Sequence, residues 1–288
     1  MLEVIEFLLL PIIACIVSVL LFGYFGLHVL KRGVIFVDIS LAQVAALGTI
    51  VGMAAGISTQ SWLLKLSALA AVTLAAALFS KVKLESRGIP QEALIGIVYC
   101  LSLSLCLFLA EFVPEGSGFI KESLTGALLW VTWGKIGVLT TIGIGAGLFH
   151  FIFRDKFMQT SQTEAGAKDV GRALWDFLFY FTLGVVITEA VEILGIFLVF
   201  TLLVVPASVS ILLFTGWLQR LLAAWIVGGV ASVTGILVAY QWNLPNSPTI
   251  VTVLGLTLIG ATLIGLLLPQ CSNRIPFTAN LNDKATTK

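Results

Sequence analysis

Long apolar runs, broken by charged or glycine- and proline-rich stretches, are the main pattern along this chain. A helix needs about 20 apolar residues to cross a bilayer, so the pattern predicts an all-α polytopic membrane protein with about eight or nine transmembrane helices. Because the apolar region 173–214 is too long for one span, we place a tight turn at Glu189 and Glu192, just before Gly195. The nine spans then cover about 7–30, 34–56, 62–80, 92–112, 127–152, 173–190, 193–214, 221–241 and 249–269.

The seventh span, within residues 194–213, contains a proline and no charge. Pro206 lies in its middle and is followed by small residues, among them Ser208. A proline inside a helix frees a backbone carbonyl and bends the axis. Lipid tolerates this only where neighbouring helices, hydroxyls or water satisfy the freed group. The span is therefore predicted to lie inside a bundle or beside a water-filled path, which favours a transport protein over a simple anchor.

Basic residues mark one side of the membrane. Most of the 16 lysines and arginines follow odd-numbered spans, whereas the other connections are neutral or acidic. The positive-inside rule therefore predicts an N-terminus outside and a C-terminus in the cytoplasm. The residues after odd-numbered spans are Lys31, Arg32, Lys81, Lys83, Arg87, Arg154, Lys156, Lys168, Arg172, Arg220, Arg274, Lys284 and Lys288.

Composition and missing motifs narrow the function. The chain is 59% hydrophobic and 11% charged, whereas soluble domains carry about 25% charged residues. A net charge of +1 without a basic run gives no sign of nucleic-acid binding. The sequence contains no GxxxxGK[ST] phosphate loop, no HExxH and no GxSxG. We therefore expect no enzyme activity, no ATP hydrolysis by this chain and no resident cofactor.

Polar residues inside the second span are the main candidates for a translocation path. Asp38, Ser40 and Gln43 lie in VDISLAQVAALG, and ionisable groups inside a membrane usually face the bundle interior or an aqueous path. The alternative for Asp38 is an ion pair with nearby Arg32 or a role at the start of the helix. The alternative for Gln43 is a hydrogen bond to another helix.

Two further features have two interpretations each. Glu189 and Glu192 are three residues apart, so they share one helical face at the outer mouth. They either attract a divalent cation or belong to an ordinary solvated turn.

Residues 155–172 form the longest cytoplasmic loop, which is either a short helix at the inner surface or a plain connector.

Five segments, in this order, together resemble the ABC-3 family of permeases, the membrane subunits of bacterial ABC importers for zinc, manganese and iron. The resemblance covers about residues 7–269. Its most specific pieces are the Pro206 segment and the closing P-T-I-V box. The segments are GLHVLKRGVIFVDISLAQVAALG (26–48), EALIGIVYCLSLSL (92–105), LTGALLWVTW (124–133), LGIFLVFTLLVVPASVSILL (194–213) and LPNSPTIVTVLG (244–255).

The resemblance implies a type II ABC-importer-like permease in the bacterial inner membrane. It implies a homodimer surrounded by lipid, with the path along the dimer axis, a separate ABC ATPase that uses ATP, and an extracytoplasmic solute-binding protein. Residues 1–270 would be one transmembrane domain and 271–288 a short cytoplasmic tail. The loop 155–172 would dock on the ATPase through residues that include Phe157, Glu164, Ala165, Gly166 and Val170.

The second span departs from the family at its metal site. The family places an Asp and a His there, four residues apart, but the aligned residues in this chain are Ile39 and Gln43. An amide oxygen binds a divalent transition metal less well than an imidazole does. Three hypotheses stay open: the cation is held mainly by the binding protein, the site is rebuilt from Asp38 and Gln43 or from Glu189 and Glu192, or the cargo is a chelated or organic substrate. A stand-alone secondary transporter is the remaining alternative.

Overall fold

The computed structural model describes residues 2–83, 88–114, 116–162 and 170–267. The tail 271–288 lies outside these residues. Within the described part, nine helices are long and apolar enough to cross a membrane, which confirms the all-α fold and the span count. In chain order the helices are α1 (Leu2–Arg32), α2 (Val37–Ala54), α3 (Trp62–Lys81), α4 (Gln91–Ala110), α5 (Gly116–Thr125), α6 (Trp133–Ile152), α7 (Arg154–Gln162), α8 (Val170–Leu194), α9 (Ile196–Leu213), α10 (Trp217–Gln241) and α11 (Asn246–Leu267).

Two boundaries differ from the sequence expectation. The sixth span continues to Leu194, so the glutamates lie inside helix α8, and the turn consists of Gly195 alone. The fifth span begins at Trp133, not at residue 127, because a 3₁₀ turn at Leu128–Trp130 precedes it. The Thr132 hydroxyl caps the new helix by accepting from the Lys135 backbone N–H at 3.4 Å. The connection before this turn contains the short helix α5.

The helices form two groups that meet in the middle of the chain's core. In one group α2 packs against α3 and α4, and α3 packs against α8. In the other group α9 packs against α1, α10 and α11. Helices α2, α8 and α9 are mostly buried, whereas α4, α6 and α11 expose most of their residues. Helices α2, α8 and α9 therefore form much of the interior of the bundle in a single copy of the chain.

Glycines allow two close approaches between backbones. A Cβ atom added at Gly26 of α1 would collide with the Leu203 carbonyl oxygen of α9. Gly126 and Gly195 have φ of +72° and +80°, and each lies against the backbone of the other's segment. The Ala127 N–H donates to the Ile193 carbonyl at 3.1 Å across this contact. The turn between α8 and α9 is thereby held against the segment that follows α5.

Ion pairs identify two opposite ends of the bundle. Arg32 at the end of α1 and Lys83 after α3 both contact Asp176 near the start of α8. We call this end the basic face. Lys65 near the start of α3 contacts Glu189 near the end of α8. We call that end the opposite face. Because α3 and α8 run in opposite directions, these contacts join the same two helices at both faces.

Replacing Gly26 by alanine is expected to destabilise the protein, because the added methyl would push α1 away from α9. Overpacking of this kind typically costs about 1–3 kcal/mol. The control is Gly137→Ala in α6, where an added Cβ meets nothing within 4 Å and alanine favours the helix by about 0.5–1 kcal/mol. Thermal unfolding of the purified protein in detergent measures both. An unchanged melting temperature for Gly26→Ala would contradict the close helix contact.

Candidate functional site

Helix α2 carries three buried polar side chains in its first two turns. Asp38, Ser40 and Gln43 are each at most 2% exposed. Among the described residues, neither Asp38 carboxylate oxygen, nor the Ser40 hydroxyl, nor the Gln43 Oε1 atom has a hydrogen-bond partner. A buried polar group without a partner costs about 1–3 kcal/mol, and an ionised one inside a membrane costs more. Three such side chains within six residues make the start of α2 a candidate for contact with a ligand.

Asp38 occupies the first turn of α2, as one of its sequence interpretations expected. A carboxylate there interacts favourably with the positive end of the helix dipole. The other interpretation, an ion pair between Asp38 and Arg32, is wrong, because the Arg32 guanidinium donates to Asp176. The Asp38 carboxylate is left with a helix end but with no cation among the described residues.

Asp38 and Gln43 do not form one ligand set. Five residues separate them, which places them about 7.5 Å apart along the helix axis and about 140° apart around it. Gln43 lies beside the Cys106 thiol of α4 and interacts with it. This position fits the interpretation of Gln43 as a contact between helices, with its Oε1 atom still unpaired.

The glutamate pair lies at the opposite face and is bridged by a lysine. The Lys65 Nζ atom is 2.8 Å from the Glu189 carboxylate and 3.6 Å from that of Glu192. The ammonium group occupies the position where a cation would bind between the two carboxylates. Across the described residues, no three His, Cys, Asp or Glu side chains come together as a metal-binding group.

A cavity of about 870 Å³ opens beside this ion pair. It lies between α2, α3, α5 and α8, and it follows the small side chains of α2 as deep as Ala42. Gly48 and Gly52 of the same helix make close contacts with α3. The polar residues that line the cavity are Thr49, Thr59, Gln60, Ser61, Lys65, Glu122, Ser123, Lys135, Thr188 and Glu192.

Pro206 and Ser208 lie in the middle of α9. Pro206 is buried, and an added Cβ at Gly228 of α10 would be 3.2 Å from its ring. Ser208 is half-buried. The prediction that this helix lies inside a bundle is confirmed by its contacts with α1, α10 and α11. A role for Pro206 and Ser208 in a path stays a prediction.

A buried polar network at the basic face was not found from the sequence. Asp176 is 3% exposed and accepts hydrogen bonds from Arg32 at 2.5 Å and from Lys83 at 3.0 Å. The Ser161 hydroxyl of α7 lies 3.0 Å from both His28 and Arg32 of α1. One signal was available: His28 and Arg32 are four residues apart, so they share one face of α1.

The residues proposed for ATPase docking are distributed differently. Glu164, Ala165 and Gly166 lie outside the described residues, and Val170 begins α8. Phe157 belongs to α7 and is fully buried. Its side chain therefore holds α7 against the bundle, and a partner that binds this segment would contact its other residues.

The sequence of the chain is similar to those of known transport proteins. The family model of the ABC 3 transport family matches residues 4–265. A probable metal transport system membrane protein from Chlamydia pneumoniae is 22% identical over 170 residues, which cover 58% of this chain and 57% of that protein. The manganese transport system membrane protein MntC from Listeria innocua is 26% identical over 172 residues, covering 59% and 61%. The chain thus spans about three fifths of the length of these curated relatives.

The fold also matches a solved structure. PsaBC from Streptococcus pneumoniae in complex with Fab superposes with a TM-score of 0.73 and 20% sequence identity. The match covers 90% of this chain and 93% of that chain. The match shows that the fold of this chain occurs in a solved structure.

The variant Asp176→Ala is expected to be strongly destabilised, because the buried Arg32 guanidinium loses the carboxylate with which it pairs. Breaking a buried ion pair in this way costs about 3–5 kcal/mol. The matched control is Asp155→Ala, since Asp155 pairs with Arg154 while 85% exposed and such pairs contribute about 0–1 kcal/mol. Thermal unfolding in detergent distinguishes them. Equal melting temperatures for the two variants would refute a stabilising role for the Asp176 network.

Proposed function

The chain belongs to the ABC 3 transport family, and we propose that it is the membrane permease of an ATP-driven importer for a divalent metal cation such as zinc, manganese or iron. The names of its relatives support the metal cargo, since they include metal and manganese transport proteins. The observation that carries a cation as cargo is Asp38, a carboxylate in the most buried span whose oxygens have no partner among the described residues.

The basic face is proposed to be cytoplasmic. Lys31, Arg32, Lys81 and Lys83 follow the first and third spans, and the positive-inside rule places such residues in the cytoplasm. The N-terminus would then lie outside and the C-terminus inside the bacterial inner membrane. A cytoplasmic ATPase would dock on residues 155–172, which we call the docking segment. An extracytoplasmic solute-binding protein would cover the opposite face.

The cargo is proposed to enter from the opposite face. The 870 Å³ cavity opens there and extends along α2 to Ala42, one residue before Gln43. ATP binding and hydrolysis by the partner would change the bundle so that a cation reaches Asp38, near the basic face. Two copies of the chain in a lipid bilayer would make the working unit, with the mostly exposed helices α4, α6 and α11 available to lipid and to the second copy.

One observation favours a second candidate function, the import of a chelated metal or an organic substrate. The described residues contain no cluster of metal ligands, and the cavity is lined by groups of both charges, including Lys65, Lys135 and Glu192. A cavity of this size and polarity suits a small organic molecule. A competition experiment separates the two cargoes: uptake of the free metal is measured in the presence of the same metal bound to a chelator. A stand-alone secondary transporter would instead move its cargo without ATP.

Uptake into liposomes tests the metal cargo. The chain, its ATPase and its binding protein are reconstituted together and given zinc, manganese and iron in turn. We expect saturable, ATP-dependent uptake of one metal, and Asp38→Asn is expected to reduce it by about tenfold or more, since the amide removes the negative charge that attracts the cation. Glu111→Gln, which neutralises an exposed carboxylate on a loop, should have no effect. If no metal enters while the binding protein still stimulates ATP hydrolysis, the chelate or organic cargo replaces the metal.

Gln43→Leu tests whether the amide of α2 lies on the path. The leucine keeps the volume but removes the unpaired Oε1 atom, so uptake should be lost while the assembled transporter is recovered in normal amount. Ser104→Ala is the control, because the Ser104 hydroxyl of α4 is exposed and bonds only within its own helix. Normal uptake by Gln43→Leu would restrict Gln43 to packing against α4.

A further inference from the structure

Two buried side chains of helix α7 contact other helices. Phe157 and Ser161 are four residues apart and are 0% and 5% exposed. The Phe157 ring stacks on the His150 ring of α6, with centroids 3.9 Å apart and planes 1° from parallel. The same ring meets Trp175 of α8 edge-on at 5.4 Å. Aromatic contacts therefore hold the first half of α7 against two spans.

The Ser161 hydroxyl lies within hydrogen-bonding distance of three groups. Within α7, the Phe157 carbonyl is 2.8 Å away and accepts from the hydroxyl. On α1, the Arg32 Nε–H group donates to the hydroxyl oxygen at 3.0 Å. The His28 Nδ1 atom is also 3.0 Å away, and its role as donor or acceptor depends on the tautomer of the imidazole. One hydroxyl thus joins α7 to two residues on the same face of α1.

The network continues from Arg32 to α8. The Arg32 guanidinium donates to Asp176 and lies 4.0 Å from the Phe179 ring centroid. The Arg32 and Asp176 side chains are only 5% and 4% exposed. Charge-assisted hydrogen bonds are strong in such surroundings. A displacement of α7 at Ser161 therefore acts on α1 directly and on α8 through Arg32.

The neighbouring residue of α7 provides a comparison. Thr160 is also buried, at 8% exposure. Its hydroxyl donates to the Lys156 carbonyl at 2.8 Å, inside the same helix. Thr160 thus carries the same kind of group at a similar burial, but its hydroxyl bonds within α7.

We propose that Ser161 is a positioning residue that couples the docking segment to the first and sixth spans, so that the work of the ATPase reaches the transport path. The inference rests on the proposed function, because it requires a partner that moves the docking segment. It assigns to one hydroxyl the polar connection between that segment and α1.

The first experiment measures metal imported per ATP hydrolysed by the complete transporter in liposomes. Mutations along a coupling network change coupling by roughly 2- to 30-fold, and we expect Ser161→Ala to lower the ratio within that range while ATP hydrolysis continues. Ser161→Thr keeps the hydroxyl and should retain the ratio, as should Ser104→Ala, which removes a hydroxyl that bonds within helix α4. An unchanged ratio for Ser161→Ala, or an equal loss for Ser161→Thr, would overturn the proposal.

The second experiment needs no transport. Hydrogen exchange of the purified chain in detergent should show amides of α7 exchanging about tenfold faster in Ser161→Ala than in the wild type, since the helix loses its bonds to α1. Amides of α11 should be unchanged, and Thr160→Ala should leave α7 close to the wild type. If Ser161→Ala is not recovered from membranes, Ser161→Cys replaces it, because a thiol bonds only weakly.

The two measurements separate two kinds of failure. A wild-type transporter that moves no metal would refute the proposed cargo, and the exchange of α7 would still decide whether Ser161 anchors that helix. A working transporter with unchanged exchange in Ser161→Ala would overturn the role of Ser161 and leave the proposed function standing.

Discussion

The hydrocarbon core of a membrane offers no water to polar groups, and this constraint governs the whole structure. Backbone groups satisfy one another inside helices, and most hydroxyls in the spans follow the same rule by donating to a carbonyl of their own helix. Ser18, Thr49 and Thr140 each bond to the carbonyl four residues earlier. Charged groups pair near the ends of the spans, as Arg32 does with Asp176. Against this background, an unpaired carboxylate such as Asp38 is an exception that calls for a function.

The span pattern could be predicted from the sequence because apolar runs respond directly to the bilayer. All nine spans were found, since each run of about 20 apolar residues has only one stable arrangement in lipid. The ends were less certain. Glu189 and Glu192 were expected to stop the sixth span, but Lys65 neutralises Glu189 at 2.8 Å, and the helix continues to Leu194. A lysine 124 residues away in the chain cannot be anticipated from local hydropathy.

For the candidate site too, the sequence predicts features that depend on neighbouring residues but not contacts between distant segments. Burial of Asp38 and Gln43 could be anticipated from their position inside an apolar span. The cavity could not, because it depends on how α2, α3, α5 and α8 meet and on the helix α5 at Gly116–Thr125. The Ser161 network was also hidden, since its hydroxyl reaches α1 across more than a hundred residues of chain. Periodicity identifies the face of a helix but not the neighbour that this face will meet.

Helix α8 connects the two faces of the bundle. Near its start, Asp176 receives the Arg32 guanidinium, and midway along it the Thr182 hydroxyl lies 2.8 Å from His150. Near its end, Thr188 and Glu192 line the cavity, and Glu189 holds Lys65. An uninterrupted helix is stiff, so a rotation or translation at one of its ends is transmitted to the other end. A shift of α8 at the basic face would therefore also move the Thr188 and Glu192 side chains that line the cavity at the opposite face. Helix α2, which packs against α8, carries Asp38 near the basic face.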